Sequence, residues 1–273
     1  MKIFDAHVHI FPDRIGPAAT AALGRESGIT PTYDGTRSGL LASMRTAGIS
    51  GALNCPIATK AEQVESINSW AVARHGWPVL SLGTVHPDHT GNRTELQRIA
   101  AKGLPGIKLH PEYQQFNLED ARLEPVWQLC SELGLVVMMH CGADIAFEPP
   151  FHSTPATIAK LLERFPQLLL IAAHFGSWNM WQDVEKNLIG KAVYFDMSFA
   201  FGLLEDAKLV ELSRTHGISR ILFGTDAPWR NQANDLQYFF QLGFSETEQH
   251  AILWDNAARL FDLEDLRRRR QQQ

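Results

Sequence analysis

Eleven histidines stand in a chain of 273 residues, and their placement is the first chemical signal. His7 and His9 lie two apart in the run KIFDAHVH at 2–9. Positions i and i+2 of a strand face the same way, so both rings share one face. An HxH pair alone is a weak signal, because chance supplies about 0.4 of one at this histidine content. The other histidines strengthen it. His140 closes the apolar run LVVMMH at 135–140, His174 closes LLLIAAH at 168–174, and Asp226 follows SRILFGT at 219–225. Neutral imidazoles with a carboxylate suit Zn²⁺ or another first-row divalent ion. Burying such groups without an ion would leave several polar atoms in need of partners. A purely hydrogen-bonded network is the alternative.

The elements that must position these groups are short β-rich runs, each followed by a helix-like stretch. The remaining runs are GALNC at 51–55, VLSLGTV at 79–85, GIKLH at 106–110 and AVYFDM at 192–197, which makes eight in all. Nearly continuous apolar runs fit parallel strands covered on both faces. Amphipathic helices are expected over 61–75, 122–133, 155–165 and 204–216. Ser153-Thr154-Pro155 gives the third a cap and an N1 proline, and Gly217 ends the fourth. Eight β/α units in this length predict a (β/α)₈ TIM barrel of the α/β class. A doubly wound open sheet competes, but the GxGxxG motif it often carries is absent. No Gly-, Ser- or Pro-rich linker interrupts the chain, so 1–273 reads as one domain. An insertion at about 11–37 and a long loop at 142–154 fall on the C-terminal, catalytic face of such a barrel. The basic tail RRRRQQQ at 267–273 reads as a frayed, solvated end.

The motifs DAHVHIFP (5–12), GIKLHP (106–111), MMHCG (138–142), AAHFG (172–176) and LFGTDAP (222–228) occur in this order. As a set they resemble the amidohydrolase superfamily of metal-dependent barrels, in the group that includes aminocarboxymuconate-semialdehyde decarboxylase. The resemblance implies one zinc ion held by His7, His9, His140 and Asp226, plus a water. It makes His174 a catalytic residue or a second ligand. An ion with an open position lowers the pKa of its water to about 7. Asp226 can then take the water's proton, and His174 can orient the water or stabilise developing charge.

Lys108 departs from the decarboxylase pattern. It stands two before His110, so the pair shares a face. In branches such as the dihydroorotases, a lysine in a similar context is carboxylated and bridges two metals. That resemblance implies a second ion on Lys108, His140 and His174. An unmodified Lys108 would instead hold a substrate carboxylate, or pair with an acid inside the barrel. His110 reads as a substrate contact, a supporting donor or a packed core histidine. Asp5 faces inward and reads either as support for a ligand histidine or as a strand-end turn. Asp144, Glu148 and His152 are loop residues of the kind that is usually solvated. His86 and Asn54 sit at the rim, Cys141 reads as a small buried hydrophobe, and Trp178, Trp181 and Trp229 read as pocket wall or packing.

The net charge of −5 provides no basic face for nucleic acid or for a membrane surface. No apolar run approaches the ~18 residues of a span. Three cysteines without CxxC spacing argue against disulfides and fit a cytoplasmic setting. The leading expectation is a hydrolase: a metal-bound hydroxide attacks the carbonyl of a lactone, amide or ester-like bond. The alternative is a carboxy-lyase that decarboxylates a small unsaturated or aromatic acid. A non-catalytic binding barrel would need a broken ligand set, and every member is present. The expected partner is a small molecule carrying a carboxylate, and family resemblance adds a homodimer. Zn²⁺ is the first choice of metal, and Mn²⁺ or Fe²⁺ also suits the ligands.

Overall fold

The computed structural model describes residues 1–271, with side chains through Arg268. Nine strands occur among these residues: β1 (Phe4–Val8), β2 (Gly51–Asn54), β3 (Val79–Ser81), β4 (Gly83–Thr84), β5 (Gly106–Leu109), β6 (Val136–Met139), β7 (Leu170–Ala172), β8 (Tyr194–Asp196) and β9 (Ile221–Leu222). Each lies within one of the eight apolar runs. The third run makes two strands, because the ladder is interrupted at Leu82. The chain divides into two compact units. One comprises Met1–Asn54, Gly76–Leu80 and the chain from Asp196 on; the other comprises Cys55–His75 and Ser81–Phe195.

In the first unit, β1 pairs in parallel with β2, with Phe4 opposite Gly51 and Asp5 opposite Ala52. On its other side β1 meets the chain around β9. Ala6 donates to the Phe223 carbonyl at 2.8 Å, Asp226 to His7 at 2.7 Å and His9 to Ala227 at 2.7 Å. These rungs bring the His7–His9 segment beside Asp226. Every residue of β1 is buried. Burying a side chain such as Phe4 stabilises by about 1.5–3 kcal/mol.

The insertion is ordered. It contains a helix over Gly16–Ser27, and its return stretch is bonded to the same rungs. The Tyr33 hydroxyl reaches the carbonyl oxygens of His9 at 2.8 Å and Ala227 at 3.0 Å, and Thr32 donates its N–H to Pro228 at 2.8 Å. The basic tail is not frayed over its described part. A helix runs over Leu263–Gln271, and the Arg267 guanidinium lies over the rings of Trp77 (5.1 Å) and Trp254 (5.6 Å). Cation–π contact replaces solvation there. Residues 272 and 273 of that tail lie outside the described residues.

The second unit carries β4, β5, β6, β7 and most of β8 as consecutive parallel neighbours. Lys108 pairs with Thr84 on one side and Met138 on the other, while Ile171 pairs with Met138 and Tyr194. The helix over Glu124–Leu133 starts on Pro125, buries Val126, Trp127, Leu129 and Cys130, and stops at Gly134 in the left-handed region. The helix over Pro155–Arg164 is capped by the Thr154 side chain, as its sequence predicts. Gly142 has φ +90°, and a Cβ there would lie 2.5 Å from the Trp178 carbonyl oxygen. This position opens the long loop and admits only glycine.

Candidate metal centre

In the first unit the strand ends gather three donor atoms. His9 Nε2 lies 2.9 Å from Asp226 Oδ1 and 3.3 Å from His7 Nε2, and His7 Nε2 lies 3.4 Å from Asp226 Oδ1. Donors about 2.1 Å from one ion are separated by about 3.0 Å at a right angle and about 3.4 Å at the tetrahedral angle. The triangle therefore fits a divalent ion of first-row size. The i, i+2 relation delivers the two imidazoles. Asp226 arrives by a backbone turn with φ +64°, a region aspartate tolerates.

The other nitrogen of His7 is also engaged. Its Nδ1 lies 3.2 Å from Asp196 Oδ2 and 3.2 Å from Ser198 Oγ. A neutral ring donating there keeps its lone pair on Nε2, the atom of the triangle. Asp196 and Ser198 are fully buried. Asp5 does not serve a histidine ring. Its carboxylate accepts from Thr225 N and Oγ1, Gln232 Nε2 and the backbone N–H of His7. It braces the turn that presents Asp226. Burial pushes the Asp5 carboxyl up to about 7, against the downward pull of these bonds. Asn54 likewise bonds backbone, accepting from Ile10 N at 3.0 Å. Trp229 continues the turn, donating its N–H to the Asp226 carbonyl at 3.0 Å.

The second unit gathers its own set at the ends of β5, β6 and β7. His174 Nε2 lies 2.9 Å from His140 Nδ1, and His140 Nε2 lies 3.1 Å from the Ala143 carbonyl oxygen. A carbonyl only accepts, so the hydrogen of His140 sits on Nε2 and the lone pair on Nδ1. Burial pushes the His140 pKa down to about 3, helped by His110 and Lys108 and opposed by Asp144, so the ring is neutral at pH 7. His110 stacks on His140 with centroids 4.0 Å apart. It accepts from Tyr113 N through Nδ1 and meets Asp144 Oδ2 through Nε2 at 3.2 Å. His110, His140 and Asp144 form a second group whose donor atoms could hold a cation. Lys108 is buried.

Two loop residues expected to be solvated are engaged. Asp144 holds His110, and His152 donates its N–H to Glu112 and contacts it again through Nδ1 at 2.5 Å. Glu148 is exposed. His86 accepts from Asp88 N and sits beside a helix start; burial lowers its pKa. Cys141 is buried, with its thiol on the Met139 carbonyl. Trp181 donates to the His174 carbonyl at 3.2 Å, and Trp178 bridges Gly142. His174 and Phe175 both have positive φ, 60° and 55°.

Asp196, Ser198, Glu112 and Tyr33 were not singled out by the sequence. Asp196 did leave a trace, as a carboxylate at the end of the apolar run AVYFDM.

The chain belongs to the amidohydrolase family, whose model matches residues 4–263. It is similar to a gamma-resorcylate decarboxylase from Polaromonas sp., 27% identical over 133 residues, which cover 42% of this chain and 41% of that protein. The match thus spans about two fifths of that relative's length. The solved structures that share the fold include these three. One is an uncharacterized TIM-barrel protein from Bordetella bronchiseptica (TM-score 0.72, 18% identity, 96% of this chain and 99% of that one). Another is a 5-carboxyvanillate decarboxylase from Novosphingobium aromaticivorans with bound manganese (0.72, 13%, 96% and 97%). The third is a probable 2-pyrone-4,6-dicarboxylic acid hydrolase from Acinetobacter baumannii (0.65, 17%, 96% and 100%). The fold is the (β/α)₈ barrel, as the alternation of runs predicts. Among the described residues no helix is long and apolar enough to cross a membrane.

Proposed function

We propose that this chain is a metal-dependent carboxy-lyase that removes CO₂ from a small aromatic or unsaturated carboxylic acid. The observation that carries the reading is the donor triangle of His7, His9 and Asp226, with edges of 2.9 to 3.4 Å. The decarboxylases among its relatives favour this chemistry over the hydrolysis expected first. His7, His9 and Asp226 hold the ion, and the family resemblance adds His140 as the fourth ligand. When bound, the ion supplies a Lewis acid that fixes the substrate's oxygen donors and withdraws electron density.

The chain's own groups manage the proton. The bond to the carboxylate carbon breaks, its electron pair stays on the substrate carbon, and that carbon takes one proton. His174 or Asp226 delivers it. Lys108 offers an ammonium to hold the substrate carboxylate before it leaves as CO₂.

The test is CO₂ release by protein loaded with Mn²⁺ or Zn²⁺, on 2,6-dihydroxybenzoate, 5-carboxyvanillate and non-aromatic unsaturated acids. Release that disappears in His9→Ala is expected. No release from any of them, with hydrolysis of a lactone such as 2-pyrone-4,6-dicarboxylate, would transfer the assignment to the second reading. That reading, a hydrolase, is favoured by the buried Lys108 and by the hydrolase neighbour.

A further inference from the structure

The buried carboxylate of Asp196 lies against His7 at Nδ1, the ring nitrogen that is not part of the triangle. Asp196 Oδ1 accepts the Ser198 N–H at 2.9 Å and also the Ser198 hydroxyl. This leaves Oδ2 for His7 Nδ1, at 3.2 Å. The same hydroxyl oxygen stands 3.2 Å from His7 Nδ1. All three side chains are buried, at 0–1% exposure, so bulk water does not compete for these bonds. The backbone is cut to fit. Gly224 passes so close that a Cβ would lie 3.1 Å from Asp196 Cβ and 3.2 Å from His7 Cβ.

We propose that Asp196, locked by Ser198, is the positioning residue for the metal ligand His7. It fixes the tautomer that exposes Nε2, sets the ring plane and raises the basicity of the ligand nitrogen. It also matters electrostatically. Its carboxylate places a negative charge behind His7, which favours a cation on the far side of the ring. The proposal rests on the reading of His7 as a ligand.

The experiment titrates the metal-free full-length protein with Mn²⁺ by calorimetry, in wild type, Asp196→Asn, Ser198→Ala and His9→Ala. Circular dichroism verifies the fold of each variant. Asp196→Asn keeps the shape of the side chain and should weaken binding about 10- to 100-fold. Ser198→Ala should lose less, because Asp196 keeps the backbone N–H. His9→Ala should lose binding altogether. With Co²⁺, the visible spectrum of Asp196→Asn should keep the wild-type band shape at saturation, since no ligand has been removed. Equal Mn²⁺ affinity in Asp196→Asn and wild type would overturn the proposal and leave the proposed function standing. Loss as complete as in His9→Ala, or a changed Co²⁺ spectrum, would make Asp196 a ligand and also overturn it. Absence of binding in wild type would overturn both. If Asp196→Asn fails to fold, Ser198→Ala decides: unchanged affinity there refutes the locked-carboxylate arrangement.

Discussion

The return stretch of the insertion is tied to the metal-bearing strand ends by Thr32 and by the Tyr33 hydroxyl, and Tyr33→Phe removes the second tie. The magnitude follows from the contacts. Tyr33 reaches the His9 carbonyl at 2.8 Å and the Ala227 carbonyl at 3.0 Å. The Ala227 oxygen keeps a bond from the His9 N–H at 2.7 Å, so the His9 carbonyl bears most of the loss. One net hydrogen bond plus partial desolvation of that oxygen amounts to about 1–1.5 kcal/mol. For a chain of this size that lowers Tm by about 2–5 °C. The assay is calorimetric unfolding in EDTA and again with saturating Mn²⁺. In EDTA the variant should melt lower by that amount. With Mn²⁺ the gap should widen, because a looser His9 and Asp226 bind the ion less tightly and gain less from mass action. A variant that melts within 0.5 °C of wild type in EDTA, on a scale of about 2–5 °C, would refute the idea that this hydroxyl fastens the insertion.

Three further outcomes follow from the same contacts. His9→Ala should purify without metal and without activity, as elemental analysis and turnover will report; a fully active variant refutes His9 as a ligand. Gly224→Ala places a methyl against Asp196 and His7 and should cost about 1–3 kcal/mol in urea unfolding, with weaker Mn²⁺ binding. Glu95 accepts from Arg98 Nε at 2.9 Å and from Asn68 at 2.9 Å. Chiefly the Arg98 hydrogen bond, against burial, holds its carboxyl below the ordinary glutamate value. A folded-state pKa below the unfolded one contributes stability above the unfolded value that is lost as pH falls through the folded one. Wild type should therefore lose stability more steeply than Glu95→Gln as pH falls through and below the ordinary glutamate range, measured by urea midpoints. Equal slopes would refute the role.

The strands were legible because parallel strands buried on both faces read as apolar runs, and the polar residues ending those runs marked His140, His174 and Asp226. The HxH pair was legible for the same reason: His7 lies in β1 and His9 just past its end, and their Nε2 atoms come within 3.3 Å. What escaped was set by partners distant in sequence. Asp5 read either as support for a histidine or as a strand-end turn, and Thr225 and Gln232, 220 and 227 residues away, claim its oxygens. The brace for His7 comes from Asp196, 189 residues away. No local period reports such pairings. Asp144 and His152 escaped because loop composition suggests solvent, whereas here the loop binds histidine and carboxylate at the end of β5. The tail escaped because four arginines suggest solvation, and one of the two rings that receive Arg267, Trp77, is far off in the chain.

The left-handed backbone at His174 and Phe175 carries a consequence for anyone breeding a hardier version of this enzyme. A non-glycine residue there costs about 1–3 kcal/mol, and glycine at position 174 would relieve that cost only by opening a buried cavity and stripping His140 of its neighbour at 2.9 Å. That same exchange deletes the imidazole. The backbone cost at 174 therefore cannot be exchanged for heat tolerance without emptying the place of a buried side chain.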